Sequence, residues 1–222
     1  MKKKIIILLC LSFFCLKIQS QNSPENKLGN WYMYNGSHKL SEKIALKTMA
    51  HFRYYELASE FQQEIYRLGF NYSFNSKTNL TLGYSYVNTD TGYKVPSINV
   101  EENRIYEDLN LKSKWGKFNA RHRFRVEHRF FNSTDRHWIR YDLNVSYPLS
   151  EKWNVYAFNE IFFHLDQSKR FAQNWTGTGF TYKLNNNLKF KTGYFQIKTH
   201  NVVFKRLQFG VILNTNHVKK TK

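Results

Sequence analysis

Cysteine is nearly missing from this chain of 222 residues: its two copies, Cys10 and Cys15, both fall close to the start. A disulfide framework and thiolate chemistry are therefore excluded for everything beyond residue 15. Proline occurs three times and glycine ten times, too rarely for a collagen-like or linker-like chain. Acidic residues are also scarce, 16 against 34 Lys and Arg, a formal charge of +18. Such a balance suits nucleic acid or an anionic membrane surface. No zinc-finger spacing, phosphate loop or dinucleotide fingerprint accompanies it. Apolar runs long enough for a membrane helix are missing as well. What the chain has in abundance is aromatic residues: 18%, from 15 Tyr, 19 Phe and 5 Trp. That excess rules out a disordered polymer.

Residues 1–20, MKKKIIILLCLSFFCLKIQS, begin with three lysines, continue through an apolar run from Ile5 to Leu16 and end at small Ser20. This three-part pattern predicts a secretory signal peptide cleaved near Ser20. Both cysteines would leave with it, and so would Lys2, Lys3, Lys4 and Lys17. Export makes nucleic acid an unsuitable partner for the remaining charge.

From Asn30 onward nearly every segment alternates with period two. In Asn79 to Val87, Leu80, Leu82, Tyr84 and Tyr86 share one face while Thr81, Gly83 and Ser85 share the other. Ile65 to Phe74 repeats the arrangement, setting Tyr66, Leu68, Phe70, Tyr72 and Phe74 against Arg67, Gly69, Asn71 and Ser73. Ten such segments are counted, most long enough to cross an outer membrane when tilted. Tight polar links at Asn75 to Thr78, Lys114 to Lys117, Leu149 to Lys152 and Asn185 to Asn187 alternate with more variable ones, such as Asn88 to Val100 and His164 to Gln173. One rim of short turns and one of longer loops predicts an all-β, antiparallel transmembrane outer-membrane β-barrel. Ten strands are expected, twelve if one has escaped the pattern, with both chain ends on the periplasmic side. A soluble sandwich is the competing architecture, but its strands are shorter and its outward face polar.

The expected organisation is therefore a signal peptide over 1–20, an N-terminal segment over 21–42, a barrel over 43–213 and a basic tail over 214–222. Within the second of these, Asn30 to Asn35 reads as a short strand or a plug-like piece.

Phe118 to Phe131, FNARHRFRVEHRFF, holds the sharpest chemistry. Alternation puts Arg121, Arg123, Arg125, Glu127 and Arg129 on one face. Arginine facing lipid at mid-membrane costs about 2–4 kcal/mol, so that row should face the lumen. His122 and His128 then face outward, which requires a membrane edge or a partner strand. Arg104 and Asp108 before it, and Arg140, Asp142 and Glu160 after it, fall on matching faces and complete a charged lumen network. Such a network has a structural purpose, pairing charges where no apolar core exists. It also has a functional reading, a basic constriction that prefers anions.

A lipid acyl hydrolase or transferase needs a hydroxyl beside an oriented histidine. Ser133 and His137 form the one weakly favoured arrangement, and no G-x-S-x-G elbow occurs. Glu101 and Glu102 read as a loop pair able to meet Ca²⁺ only incidentally. The chain is thus expected to be a structural or solute-passing protein without covalent chemistry, metal or cofactor. Its partners would be outer-membrane lipids and lipopolysaccharide, the outer-membrane assembly machinery and small anions.

Several stretches look familiar: GNWYMYNG, KLSEK, RHRFRVEHRF, RYDLNVSYPLS, FNEIFF, GTGFTYKL and KTGY. Together, from Gly29 to Leu213, they resemble an exported family found largely in the Bacteroidota, the domain of unknown function 2490. The resemblance implies an outer-membrane barrel and brings no activity or catalytic residue with it.

Overall fold

The computed structural model describes residues 23–218, so the signal peptide expected over 1–20 and the last four residues of the basic tail lie outside it. Eleven strands close into a barrel: β1 (Leu28–Lys39), β2 (Ile44–Glu56), β3 (Ser59–Ser73), β4 (Thr78–Asp90), β5 (Asn99–Trp115), β6 (Phe118–Phe130), β7 (Asp135–Pro148), β8 (Trp153–His164), β9 (Phe171–Lys183), β10 (Leu188–Lys198) and β11 (Val203–Asn216). Each strand pairs antiparallel with its neighbours in sequence. Closure is made by β1 running parallel to β11, from Leu28 opposite Lys205 to Lys39 opposite Asn216.

Two expectations are corrected here. The barrel has eleven strands, where ten or twelve were expected, and it is not wholly antiparallel. The segment Asn30 to Asn35 is neither a short strand nor a plug but the middle of a twelve-residue wall strand. The physical reason is its composition: LGNWYMYNGSHK puts Gly, Asn and aromatic residues on both faces, which blurs the period-two contrast. An odd strand count also separates the ends of the barrel. Leu28 sits on the rim of the 91–98 and 165–170 links, whereas Asn216 sits beside Lys39 on the opposite rim, contrary to the expectation that both share one side.

The second rim is made of short turns with a common local cause. Asn75 Oδ1 accepts from the Lys77 and Thr78 amides, and Asn185 Oδ1 from those of Asn187 and Leu188. Ser41 and Ser150 do the same through Oγ for Lys43 and Ile44, and for Lys152 and Trp153. These side chains satisfy backbone donors that a tight turn strips of ladder partners. The remaining short turn is a two-residue link in which Gly116 takes φ +57°, a backbone region open to glycine.

The outer wall carries the apolar face. Along β3 and one residue past its end, Tyr66, Leu68, Phe70, Tyr72 and Phe74 are all exposed, Phe70 to 61%. That run measures about 26 Å along the strand and, at the usual tilt, about 20 Å along the barrel axis. Tyr66 and Tyr86 at its upper edge donate to Glu64 and Glu101. Trp115, Phe118 and Trp153 lie exposed at the short-turn edge. Among the described residues, no helix is long and apolar enough to cross a membrane.

Candidate functional site

Inside the wall the strands send in polar and charged groups, and the lumen they line has a volume of about 1100 Å³. Glu127 is its hub. Oε1 of Glu127 lies 2.6 Å from Arg140 Nη1, 3.3 Å from Arg104 Nη1, 3.4 Å from Arg125 Nη1 and 3.9 Å from Arg67 Nη2. Asp108 holds Arg125 in a two-pronged pair, with Nε and Nη2 donating at 2.5 and 2.6 Å. Glu160 is shared by Arg123 and Arg140, each at 2.7 Å. Asp142 takes Arg121. The forked guanidinium matches the carboxylate plane, which is why arginine rather than lysine fills this middle layer.

Register explains the convergence. Arg125 sits opposite Asp108 on β5 and Arg140 on β7, and Arg123 sits opposite Asp142, which itself faces Glu160 on β8. Alternating inward positions on four consecutive strands thus stack into one layer. Arg104, Asp108, Arg125, Glu127, Arg140, Asp142 and Glu160 are buried, while Arg121, Arg123 and Arg129 are partly exposed to the lumen. Arg129 binds Glu102 through two bonds of 2.7 Å, and Glu102 also accepts from Arg104 Nε at 2.6 Å. Glu102 is therefore an inward member of β5 and not half of a loop pair. The strand starts at Asn99, earlier than its alternation suggests, because Val100 is its first apolar residue.

Toward the rim where Leu28 lies, the lumen turns aromatic. Trp31, Phe195 and Ile197 form a buried cluster, with Phe158 and Trp175 packed against it. Arg53 stacks 3.6 Å over the Trp31 ring, and Arg140 lies 4.1 Å over Phe162. Two tyrosines cross the lumen on glycine floors. A Cβ at Gly69 or Gly83 would overlap Tyr106, and one at Gly179 or Gly193 would overlap the Tyr156 hydroxyl.

Several lumen residues escaped the sequence reading: Lys47, His51, Arg53, Lys191 and Arg206 all line the cavity, as does Arg67, which the alternation of its strand had placed on the polar face but outside the charged network. Their signal was present. In IALKTMAHFRYYE, Lys47, Met49, His51 and Arg53 alternate with Leu46, Thr48, Ala50 and Phe52, so the same logic applied to β6 places them inward. Counting the cavity lining, thirteen Lys and Arg side chains face four carboxylates, Asp108, Glu127, Asp142 and Glu160.

The outward histidines are accommodated by β7. His122 Nδ1 lies 2.8 Å from Tyr141 Oη, and His128 Nδ1 lies 2.9 Å from His137 Nδ1. Glu107, on the same outer face, approaches His128 Nε2 at 3.7 Å. His137 thus faces His128, and no hydrogen bond between Ser133 and His137 occurs among the described residues.

Residues 28–208 match the model of a protein family of unknown function, DUF2490. The chain belongs to that family. No curated protein matches the sequence. Among solved structures the chain is similar to "LpxR from Salmonella typhimurium", with 8% identity, 76% of this chain and 83% of that chain covered, and a TM-score of 0.47. The expectation of a protein without covalent chemistry is withdrawn. At 0.47 the likeness assigns neither an activity nor a catalytic residue to this DUF2490 member.

Proposed function

We propose that this DUF2490 protein is an outer-membrane barrel whose basic lumen forms a narrow, anion-preferring pathway. The observation that carries the reading is the charge surplus of the lumen, thirteen lining cations against five carboxylates, the four of the lining and Glu102 behind Arg104 and Arg129. All five are already committed to lumen arginines. The surplus therefore stands uncompensated in an enclosure with low-dielectric walls, where a potential of one sign concentrates the opposite ion. Side chains fill much of so narrow a barrel, so conductance is expected to be small.

The apolar outer band, about 20 Å high with aromatic residues at both edges, supports a lipid setting. Short turns would then face the periplasm and the 91–98 and 165–170 links the exterior, with outer-membrane lipids and lipopolysaccharide around the wall. Planar-bilayer recording in a salt gradient tests the pathway. A small conductance whose reversal potential follows the anion is expected; a silent protein, or one that follows the cation, refutes it.

A further inference from the structure

The two mouths of the lumen differ in kind. At the rim nearer Leu28 the cavity is packed with Trp31, Trp175, Phe195 and Ile197. At the short-turn rim no aromatic cluster fills it, and lysines take over. Lys47 on β2, Lys112 on β5, and Lys189 and Lys191 on β10 all line the cavity, each within four residues of the short-turn end of its strand. Three strands around a closed barrel thus point four lysines into one mouth. Lys47 Nζ donates to Ser37 Oγ at 2.7 Å, and Lys191 Nζ lies 4.6 Å over the Tyr156 ring. None of the four forms an ion pair among the described residues. Asp142, the carboxylate nearest this mouth, is taken by Arg121.

A smaller recess of about 310 Å³ adjoins it, lined by Lys77, Lys112, Lys114, Arg121, Asn119 and Ser113, with no carboxylate. Inside it the buried Ser113 hydroxyl has no hydrogen-bond partner. The residue types also differ from those of the middle layer. Arginine forks are used there for internal pairing, whereas the mouth presents ammonium groups on flexible stems among asparagine amides. Mobile point charges suit an anion that arrives and leaves, and several of them together suit one that carries several charges.

We propose that this mouth is a binding vestibule for a soluble polyanion bearing clustered phosphate groups, with Lys47, Lys112, Lys189 and Lys191 as its ligands. The proposal rests on the basic-lumen reading for its electrostatics but not on ion passage. Because the lysines face the lumen and not the lipid, the ligand enters from the aqueous side of the short-turn rim.

The test uses the full barrel folded in a zwitterionic detergent, with inorganic tripolyphosphate as the probe and titration calorimetry as the readout. Binding is expected to tighten from orthophosphate to pyrophosphate to tripolyphosphate and to weaken as salt is raised. Lys189→Gln with Lys191→Gln should weaken tripolyphosphate at least tenfold, about 1.4 kcal/mol. Lys198→Gln, outside the barrel near the other rim, should leave it unchanged. Should the double variant not give the folded gel band, Lys112→Gln, exposed at the mouth, replaces it. Absence of tripolyphosphate binding to the wild-type barrel, or equal affinity in the vestibule variants, overturns the proposal. Anion-selective conductance without tripolyphosphate binding would remove the vestibule and leave the pathway. Vestibule binding in a silent barrel would do the reverse.

Discussion

Replacing Glu127 by Gln removes one negative charge while keeping the shape of the side chain. In the folded barrel that charge is shared by Arg140, Arg104 and Arg125 at 2.6, 3.3 and 3.4 Å, with Arg67 at 3.9 Å. Three of these four have a second anion: Arg140 has Glu160, Arg104 has Glu102 and Arg125 has Asp108. Arg67 has none and relies on Ser85 and the Tyr106 ring. Removing one partner of a buried ion pair costs about 3–5 kcal/mol, because the cations left behind have lost both water and their counterion. Since most of the orphaned cations keep another carboxylate, the lower end applies, about 3 kcal/mol. Urea unfolding of the barrel in detergent, followed by the shift between compact and unfolded gel bands, measures it. Glu127→Gln should unfold at clearly lower urea, and its anion preference in a bilayer should rise because the surplus grows. A loss below about 1 kcal/mol would show that Glu127 is not the electrostatic hub, as an exposed ion pair would behave.

Three further outcomes are expected from other parts of the molecule. Gly83→Val should cost about 1–3 kcal/mol by overpacking against Tyr106, whereas Gly210→Ala, whose new Cβ would meet its nearest atom at 3.4 Å, should be neutral; the same urea assay separates them. Asn75→Ala and Asn185→Ala should each lose about 0.5–1.5 kcal/mol, because each removes the acceptor of two turn amides. The Asp90 carboxyl is held below its ordinary value, chiefly by the Ser97 hydroxyl and then by the Gly92 amide. A depressed carboxylate stabilises the 91–98 link fully above the ordinary aspartate value of about 4 and loses that contribution as pH falls through the lowered one. Amide exchange at Gly92 and Ile98, corrected for intrinsic rates, should therefore be equally protected at pH 7 and 5 and less so near pH 2.5; uniform protection throughout would contradict the Asp90 bonds.

The inward and outward faces of the central stretches of β3 to β8 were legible in the sequence, though the start of β5 with Glu102 was not. A strand with lipid on one side and charged groups on the other must alternate, so Arg121, Arg123, Arg125, Glu127 and Arg129 could be placed on one face of FNARHRFRVEHRFF from the sequence alone. The turns were legible for a related reason, since Asn75, Ser150 and Asn185 satisfy amides two and three residues ahead and need nothing distant. Segments with weaker contrast were lost. LGNWYMYNGSHK offers Gly, Asn and aromatic residues on both faces, and with it went the strand count and the placement of the chain ends.

Sequence alone determined the strand periodicity, the side of the wall on which the charges of β6 to β8 lie and the chemistry of the short turns, because all three are set within a few residues of chain. Tertiary structure decided everything that depends on which strands meet. The parallel seam of β1 with β11 joins residues nearly the whole chain apart, and no local pattern encodes it. Register alone decided that Glu127, and not Asp108 or Glu160, collects four guanidinium groups, since the three carboxylates look alike along their own strands. The gathering of Lys47, Lys112, Lys189 and Lys191 at one mouth is likewise a product of closure: four unrelated lysines become neighbours only when the sheet curls back onto itself and shuts them in with water on one side.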